Sequence, residues 1–337
     1  MTDDFLAKGG KAMAGLGATV RMIRQNKGLT LAEVADDEVT ASFLSKFERG
    51  AAEMSVAKFL HVLTRIFTTP EEFFYIQAGT ESAAGLANAG YHHRDEMLAQ
   101  VFGDSINLDS PGKRRTALKD LDQRCQAAEA AYRTAPGLVS MLHWRVQQIL
   151  RVLVTNLVQE KPIAGVTGTG EYSAEALQYL YNVNDWGEFE LYLFTLFSFD
   201  MRQGDERRLF RVALTRSKKY ASFTGAPLLR FDIVHNQLFL EMNRREYAAA
   251  GETLPLYAQL LDDDPDAYHE IWYRFIYAWW LYRTDKPQAG EKMGATAVQL
   301  ATTMRMKEAA QYIQTLLTRI ATHGPDFDYS FYRQIIQ

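Results

Sequence analysis

Ser42, Ser45, Lys46 and Arg49 fall at i, i+3, i+4 and i+7, a spacing that gathers side chains on one face of a helix. Phe43, Leu44 and Phe47 mark the opposite, apolar face. Two small hydroxyls beside two cations suit DNA, because short side chains let a helix approach base edges while Lys and Arg reach guanine or phosphate. Any amphipathic surface helix also exposes Ser, Lys and Arg, so the surrounding elements must decide the reading.

Those elements are legible. Leu16, Val20 and Ile23 give a first helix an apolar stripe, and Gly28 ends it. Thr30-Leu31-Ala32-Glu33 is a capping box opening a second helix, with Leu31, Val34 and Ala35 turned to the core. A turn over Asp36 to Val39 leads to the third helix, beginning near Thr40. Net charge is only -4, yet Lys8, Lys11, Arg21, Arg24 and Lys27 form a basic tract free of acidic residues, far from the acidic run Asp262 to Asp264. With Ser55-Val56-Ala57-Lys58-Phe59-Leu60 and Pro70-Glu71-Glu72-Phe73-Phe74 following in order, the pattern resembles the helix-turn-helix domain of the phage-repressor-like XRE class. That resemblance implies a five-helix DNA-binding domain over 12–78, with Arg21, Arg24, Lys27, Thr40, Ser42, Ser45, Lys46, Arg49 and Ser55 at the DNA. It also implies a structural Glu48, paired with Arg21 or Arg24. Ser55 would cap the fourth helix, whose N-terminus can hold a phosphate.

Beyond residue 78 the helical period continues in longer segments with no sustained period-two alternation, so the class is all-α. Breaks are expected at 79–90, 109–112, 135–137, 162–170, 225–227, 264–265 and 286–287, where Gly and Pro concentrate. Helix pairs starting near Leu228, Ala267 and Gly290, with Ala248 to Ala250 at close-packing positions, suggest a tetratricopeptide-like α-solenoid over 79–337. A helical bundle without superhelical curvature is the alternative.

Leu177-Gln178-Tyr179-Leu180-Tyr181-Asn182-Val183-Asn184-Asp185-Trp186-Gly187-Glu188-Phe189-Glu190-Leu191-Tyr192, taken with the Ser42 to Gly50 segment, resembles the Rgg/GadR/MutR regulators. The resemblance implies a homodimeric bacterial transcriptional regulator whose helical-repeat domain binds a short hydrophobic signalling peptide. Ile271 to Tyr282 is apolar almost all round, as in a core helix or one that also lines a groove. Its Tyr273, Tyr277 and Trp280 are candidate peptide contacts. Asn236 is a second, because a mid-helix amide can serve a peptide backbone, and Arg145, Gln148 and Arg151 on one helix could serve its carboxylate or backbone. Each could equally be a packing or surface residue.

Other chemistry finds little footing. His92-His93-Arg94-Asp95 has metal-binding residue types, but adjacent side chains on a helix diverge by about 100 degrees. His143, His235 and His269 are scattered, and Gly165 to Gly170 lacks the phosphate-loop lysine, reading as a flexible interhelix loop. Cys125 has no cysteine partner. No stretch matches a membrane span or a secretory leader, so a cytoplasmic protein without enzymatic activity, metal or cofactor is expected. A regulator answering a non-peptide signal and a protein-interaction scaffold are the competing readings.

Overall fold

The computed structural model describes residues 15–78, 111–162, 166–220, 228–326 and 328, and every regular element among them is helical. The chain divides into two compact units, Met1–Met97 and Leu98–Gln337. Lys8, Lys11, the His92 to Asp95 run, the breaks at 79–90 and 225–227, and the expected boundary at 78/79 lie outside the described residues.

The first unit contains α1 (Leu16–Asn26), α2 (Leu31–Val34), α3 (Ala41–Glu48), α4 (Val56–Arg65) and α5 (Pro70–Ala78). Its core joins Val20 and Ile23 of α1, Val34, Val39, Leu44 and Phe47 around the turn, and Phe59, Val62, Leu63 and Phe73 beyond it. α1 and α3 touch backbone to backbone. A Cβ at Gly17 would lie 1.9 Å from the Phe47 carbonyl oxygen, so only glycine permits this crossing. Gly28 and Gly50, both at φ +70°, end α1 and α3 with the left-handed cap that glycine takes at no steric cost.

The second unit runs through α6 (Pro111–Thr134), α7 (Leu138–Val158), α8 (Ala174–Asn182), α9 (Glu188–Phe197), α10 (Gln203–Ser217), α11 (Leu229–Asn243), α12 (Tyr247–Asp263), α13 (Ala267–Arg283), α14 (Pro287–Thr303) and α15 (Lys307–Thr322). Alternate helices touch, α7 to α9 to α11 to α13 to α15, so these form one layer of an α-solenoid, with α6, α8, α10, α12 and α14 set against it. One continuous apolar cluster runs from Ala117 to Ile320. Helix α11 is the most enclosed, with Phe231, Ile233, Val234, Leu238, Phe239, Leu240 and Met242 all buried.

The breaks expected at 135–137, 264–265 and 286–287 are helix ends, but helices in this unit also close on residues other than glycine. The residues Arg245, Asp285 and Arg305, at φ 63°, 59° and 61°, take the left-handed position after α11, α13 and α14. In each turn the next amide closes a 6→1 bond, from Glu246 to Glu241 O, Lys286 to Leu281 O and Met306 to Ala301 O at 2.8, 2.9 and 2.9 Å. The helix expected near Gly290 begins at Pro287, so Gly290 lies within its first turn. It packs inside α14 against Tyr282, as Gly294 does against Leu317, each leaving no room for a Cβ. Close packing thus falls there, whereas of Ala248 to Ala250 only Ala250 is fully enclosed.

Candidate functional site

Helix α3 is held in place from three sides. Thr40 caps it, accepting from the Phe43 amide at 3.3 Å. The preceding turn is tied by Asp36, whose Oδ1 accepts from the amides of Glu38 and Val39 at 3.0 and 3.1 Å. From α4, Arg65 donates to the Glu33 and Val34 carbonyls at 2.8 and 3.2 Å, and His61 Nε2 meets Asp36 Oδ2 at 2.6 Å. The His61 contact, helped by the two turn amides, holds the Asp36 carboxyl below its ordinary range. Neither His61 nor Arg65 was foreseen, because a residue that grips a turn some 30 positions upstream leaves no local sequence pattern.

Beneath α3, Arg24 Nε and Nη2 donate to both oxygens of Glu48 at 2.6 and 2.8 Å, and Nη1 donates to the Leu29 carbonyl at 2.6 Å. Both side chains are under 10% exposed, 8% and 3%. The Glu48 pairing is the expected one, and it leaves the Arg24 guanidinium buried in a fork-to-fork pair that positions α3. Lys27 is exposed and donates to Phe67 O at 2.6 Å and Thr68 Oγ1 at 2.9 Å. Arg21, Thr40, Ser42, Lys46, Arg49 and Ser55 are exposed, and Ser45 is half-buried, accepting from Arg49 Nη1 at 2.7 Å. Ser55 caps α4 through the Lys58 amide at 3.4 Å, and Lys58 Nζ lies 5.3 Å over the Phe43 ring. Lys58 thereby joins the cations flanking α3, a neighbour that spacing within α3 alone could not supply.

In the second unit the candidate residues all fall on the α7, α9, α11, α13, α15 layer, but most are engaged by neighbours. Arg145 pairs with Glu175 at 2.6 Å, donates to Gln148 Oε1 at 3.1 Å and lies 4.8 Å from the Trp144 ring. Arg151 donates to Asp122 on α6. Gln148 and Arg151, with Trp144, Gln126, Val152 and Tyr172, line an open cavity of about 190 Å³. Burial there, with Glu171 adjacent, pushes the Tyr172 hydroxyl up to about 12.

Asn236 is 6% exposed, and its Nδ2 donates to Thr195 O at 3.1 Å and Ser198 Oγ at 3.0 Å. This amide ties α11 to the end of α9 through its nitrogen, while its buried Oδ1 accepts from no donor among the described residues. Tyr273, Tyr277 and Trp280 remain half-buried on α13 and follow one another at ring separations of 5.9 Å, with Tyr257 of α12 extending the ribbon at 5.6 Å. Trp280 is anchored, its Nε1 donating to Tyr247 O at 2.7 Å over Gly251.

The Leu177 to Tyr192 block proves architectural. Trp186 is buried and donates to the Leu180 carbonyl at 3.1 Å, closing α8, while Glu190 accepts from the Gly187 amide at 2.7 Å and the Tyr179 hydroxyl at 2.5 Å, opening α9. The glycine-rich loop is not loose where it is described. Gly168 and Gly170 amides donate to Phe199 O and Asp200 O at 2.9 and 2.7 Å, and Asp200 also accepts from Thr169 and the Tyr172 amide. Asp200, some 30 residues away, was the missing partner.

Residues 146–315 match the family described as HTH-type transcriptional regulator Rgg, C-terminal domain. In three dimensions the chain is similar to a transcriptional regulator from Listeria monocytogenes EGD-e, with 16% identity, TM-score 0.66, and 90% of this chain and 96% of that one covered. It is also similar to a variant of the Streptococcus dysgalactiae SHP pheromone receptor Rgg2, at 16% identity and TM-score 0.56 over 91% and 99% of the two chains. The PrgX/iCF10 complex shares 11% identity and TM-score 0.57 over 95% and 96%. At such identities the structural likeness establishes a common fold, and the family match extends over half the chain. The chain belongs to the Rgg family of helix-turn-helix transcriptional regulators.

Proposed function

We propose that this protein is a cytoplasmic, homodimeric regulator without enzymatic activity, in which a domain over 12–78, within the first unit, binds promoter DNA and a helical-repeat domain over 79–337 answers a short hydrophobic signalling peptide. The observation that carries the reading is the polar face of α3: Ser42, Lys46 and Arg49 stay exposed while Leu44, Phe47 and the Arg24–Glu48 pair are enclosed. Family membership and likeness to a pheromone receptor support the peptide. So does the half-buried Tyr273, Tyr277, Trp280 ribbon on α13, which offers apolar surface with polar tips to an extended chain. A dimer doubles the number of base pairs a small helix-turn-helix domain reads.

The test is fluorescence polarisation of labelled DNA from the gene's own upstream region, titrated with the full chain over a range of salt, with and without synthetic peptides encoded beside the gene. Tight, salt-dependent binding to a site of inverted repeats, altered by one such peptide, is the expected result. Binding to DNA that no peptide changes would favour the non-peptide regulator, and no binding to DNA would favour the scaffold.

A further inference from the structure

Where α10, α11 and α12 meet, the second unit buries Glu206, Gln237 and Glu241 at 0%, 1% and 3% exposure. Glu241 Oε1 accepts from Gln237 Nε2 at 2.8 Å and Thr253 Oγ1 at 3.1 Å, and Glu206 Oε2 accepts from Arg244 Nη1 at 3.1 Å. Three enclosed oxygens are left with no donor: Glu206 Oε1, Gln237 Oε1 and Glu241 Oε2. Arg244 cannot turn to them, since its other nitrogens serve Thr167 Oγ1 and the carbonyls of Ser198 and Phe199 at 2.9 Å each.

The charges show the same imbalance. From α10 come Glu206 and Arg207, from α11 Glu241 and Arg244, and from the turn before α12 Glu246, which pairs with Arg207 at 3.1 Å. Three carboxylates thus face two guanidiniums, with the Thr253 hydroxyl from α12. Buried acceptors without donors and a buried uncompensated charge are both costly, and a single proton removes the excess charge and supplies a donor for one of the bare acceptors. We propose that this joint holds one exchangeable proton on the Glu206/Glu241 pair, resident chiefly on Glu241, so that the packing of α10, α11 and α12 responds to pH in the physiological range. A proton on Glu241 turns an acceptor without a donor into a donor among acceptors and leaves the cluster neutral.

Burial raises the Glu241 carboxyl to about 7 and raises Glu206 as well. A carboxyl raised on folding contributes stability that is fully present below its unfolded value, near ~4.3, and is lost as pH rises through its folded value, here about 7.

Chemical denaturation of the full chain from about pH 5.5 to about pH 8.5 reads this directly, as one proton changes the folding equilibrium constant by about tenfold per pH unit below the folded pKa. Glu241→Gln should remove that slope and fold at least as well as the parent at the alkaline end. Infrared titration of the unaltered chain, which needs no variant, should show a protonated-carboxyl band at about pH 6 that is gone by about pH 8.5. An unchanged slope in E241Q, or no such band in the parent, would overturn the proposal. So would stabilisation of the parent by sodium or calcium chloride at about pH 8 that E241Q lacks, since a cation would then occupy the cluster in place of a proton.

Discussion

In the first unit the polar face of α3 carries Ser42, Lys46 and Arg49 into solvent, whereas in the second Arg145, Arg151 and Asn236 are each held by a neighbouring element. Both units hold a closed buried ion pair, Arg24–Glu48 in the first and Arg283–Asp328 in the second, each bonded at both carboxylate oxygens, but only the second adds an open one, in which Arg244 meets one oxygen of Glu206 and leaves the other bare. Helix ends divide less cleanly, since Gly28 and Gly50 follow α1 and α3 but Phe67, at φ 51°, follows α4 as Arg245, Asp285 and Arg305 follow α11, α13 and α14. A small unit that must present one rigid helix ends that helix on glycine and closes its buried polar pair. The layered unit spreads its stability over a large apolar core and tolerates imperfect caps and an unbalanced polar joint, which is where a state-dependent response can reside.

The comparison is broken most forcefully at the Arg24–Glu48 pair. Arg24→Ala should destabilise the first unit by about 3–5 kcal/mol, because Glu48 would be left as a buried carboxylate without its cation. Denaturant unfolding should show the loss confined to the first unit, and a loss below about 1 kcal/mol would place the pair with weak surface bridges.

Asn236→Ala comes next. Loss of its two donated bonds should cost the second unit about 1–3 kcal/mol of stability, with peptide affinity changing only as that stability does. Isothermal calorimetry alongside melting separates the effects. A large drop in peptide affinity with no change in melting would restore Asn236 to the ligand.

Lys46→Ala and Arg49→Ala invert that pattern. Each should weaken DNA binding by about 1–3 kcal/mol for a lost base contact, or lower the salt slope by about one ion for a lost phosphate contact. Stability should move by no more than about 0.5 kcal/mol, as both side chains are exposed. Unchanged affinity and salt slope in the double variant would remove α3 from the DNA.

The smallest effect is expected at the helix ends. Arg305→Gly relieves a left-handed residue at φ 61° but adds freedom to the unfolded chain, so thermal melting should shift by the equivalent of less than about 1 kcal/mol. A marked loss would mean that the Arg305 side chain, which is exposed, has a partner in the assembled protein.

What the sequence by itself determined is what neighbours within one or two helical turns decide. The Thr30–Glu33 capping box, the Thr40 and Ser55 caps, the Gly28 stop, the two faces of α3 and the all-helical class each rest on interactions spanning four residues or fewer, or on glycine's backbone freedom. Tertiary structure alone decided which polar residues stay free. Arg24 and Arg21 look equivalent in the chain until Glu48 arrives beneath α1, and Asn236 looks like a spare amide until the end of α9 packs against it. Asp200 turns a glycine-rich loop into a docked one across some 30 residues. Glu206 and Glu241, on different helices, become a pair only when α10 folds onto α11 and burial removes the water that would have kept both ionised. A hydrogen bond or charge whose partner is distant in sequence leaves no period to read, so its owner's role is settled only when the layers close.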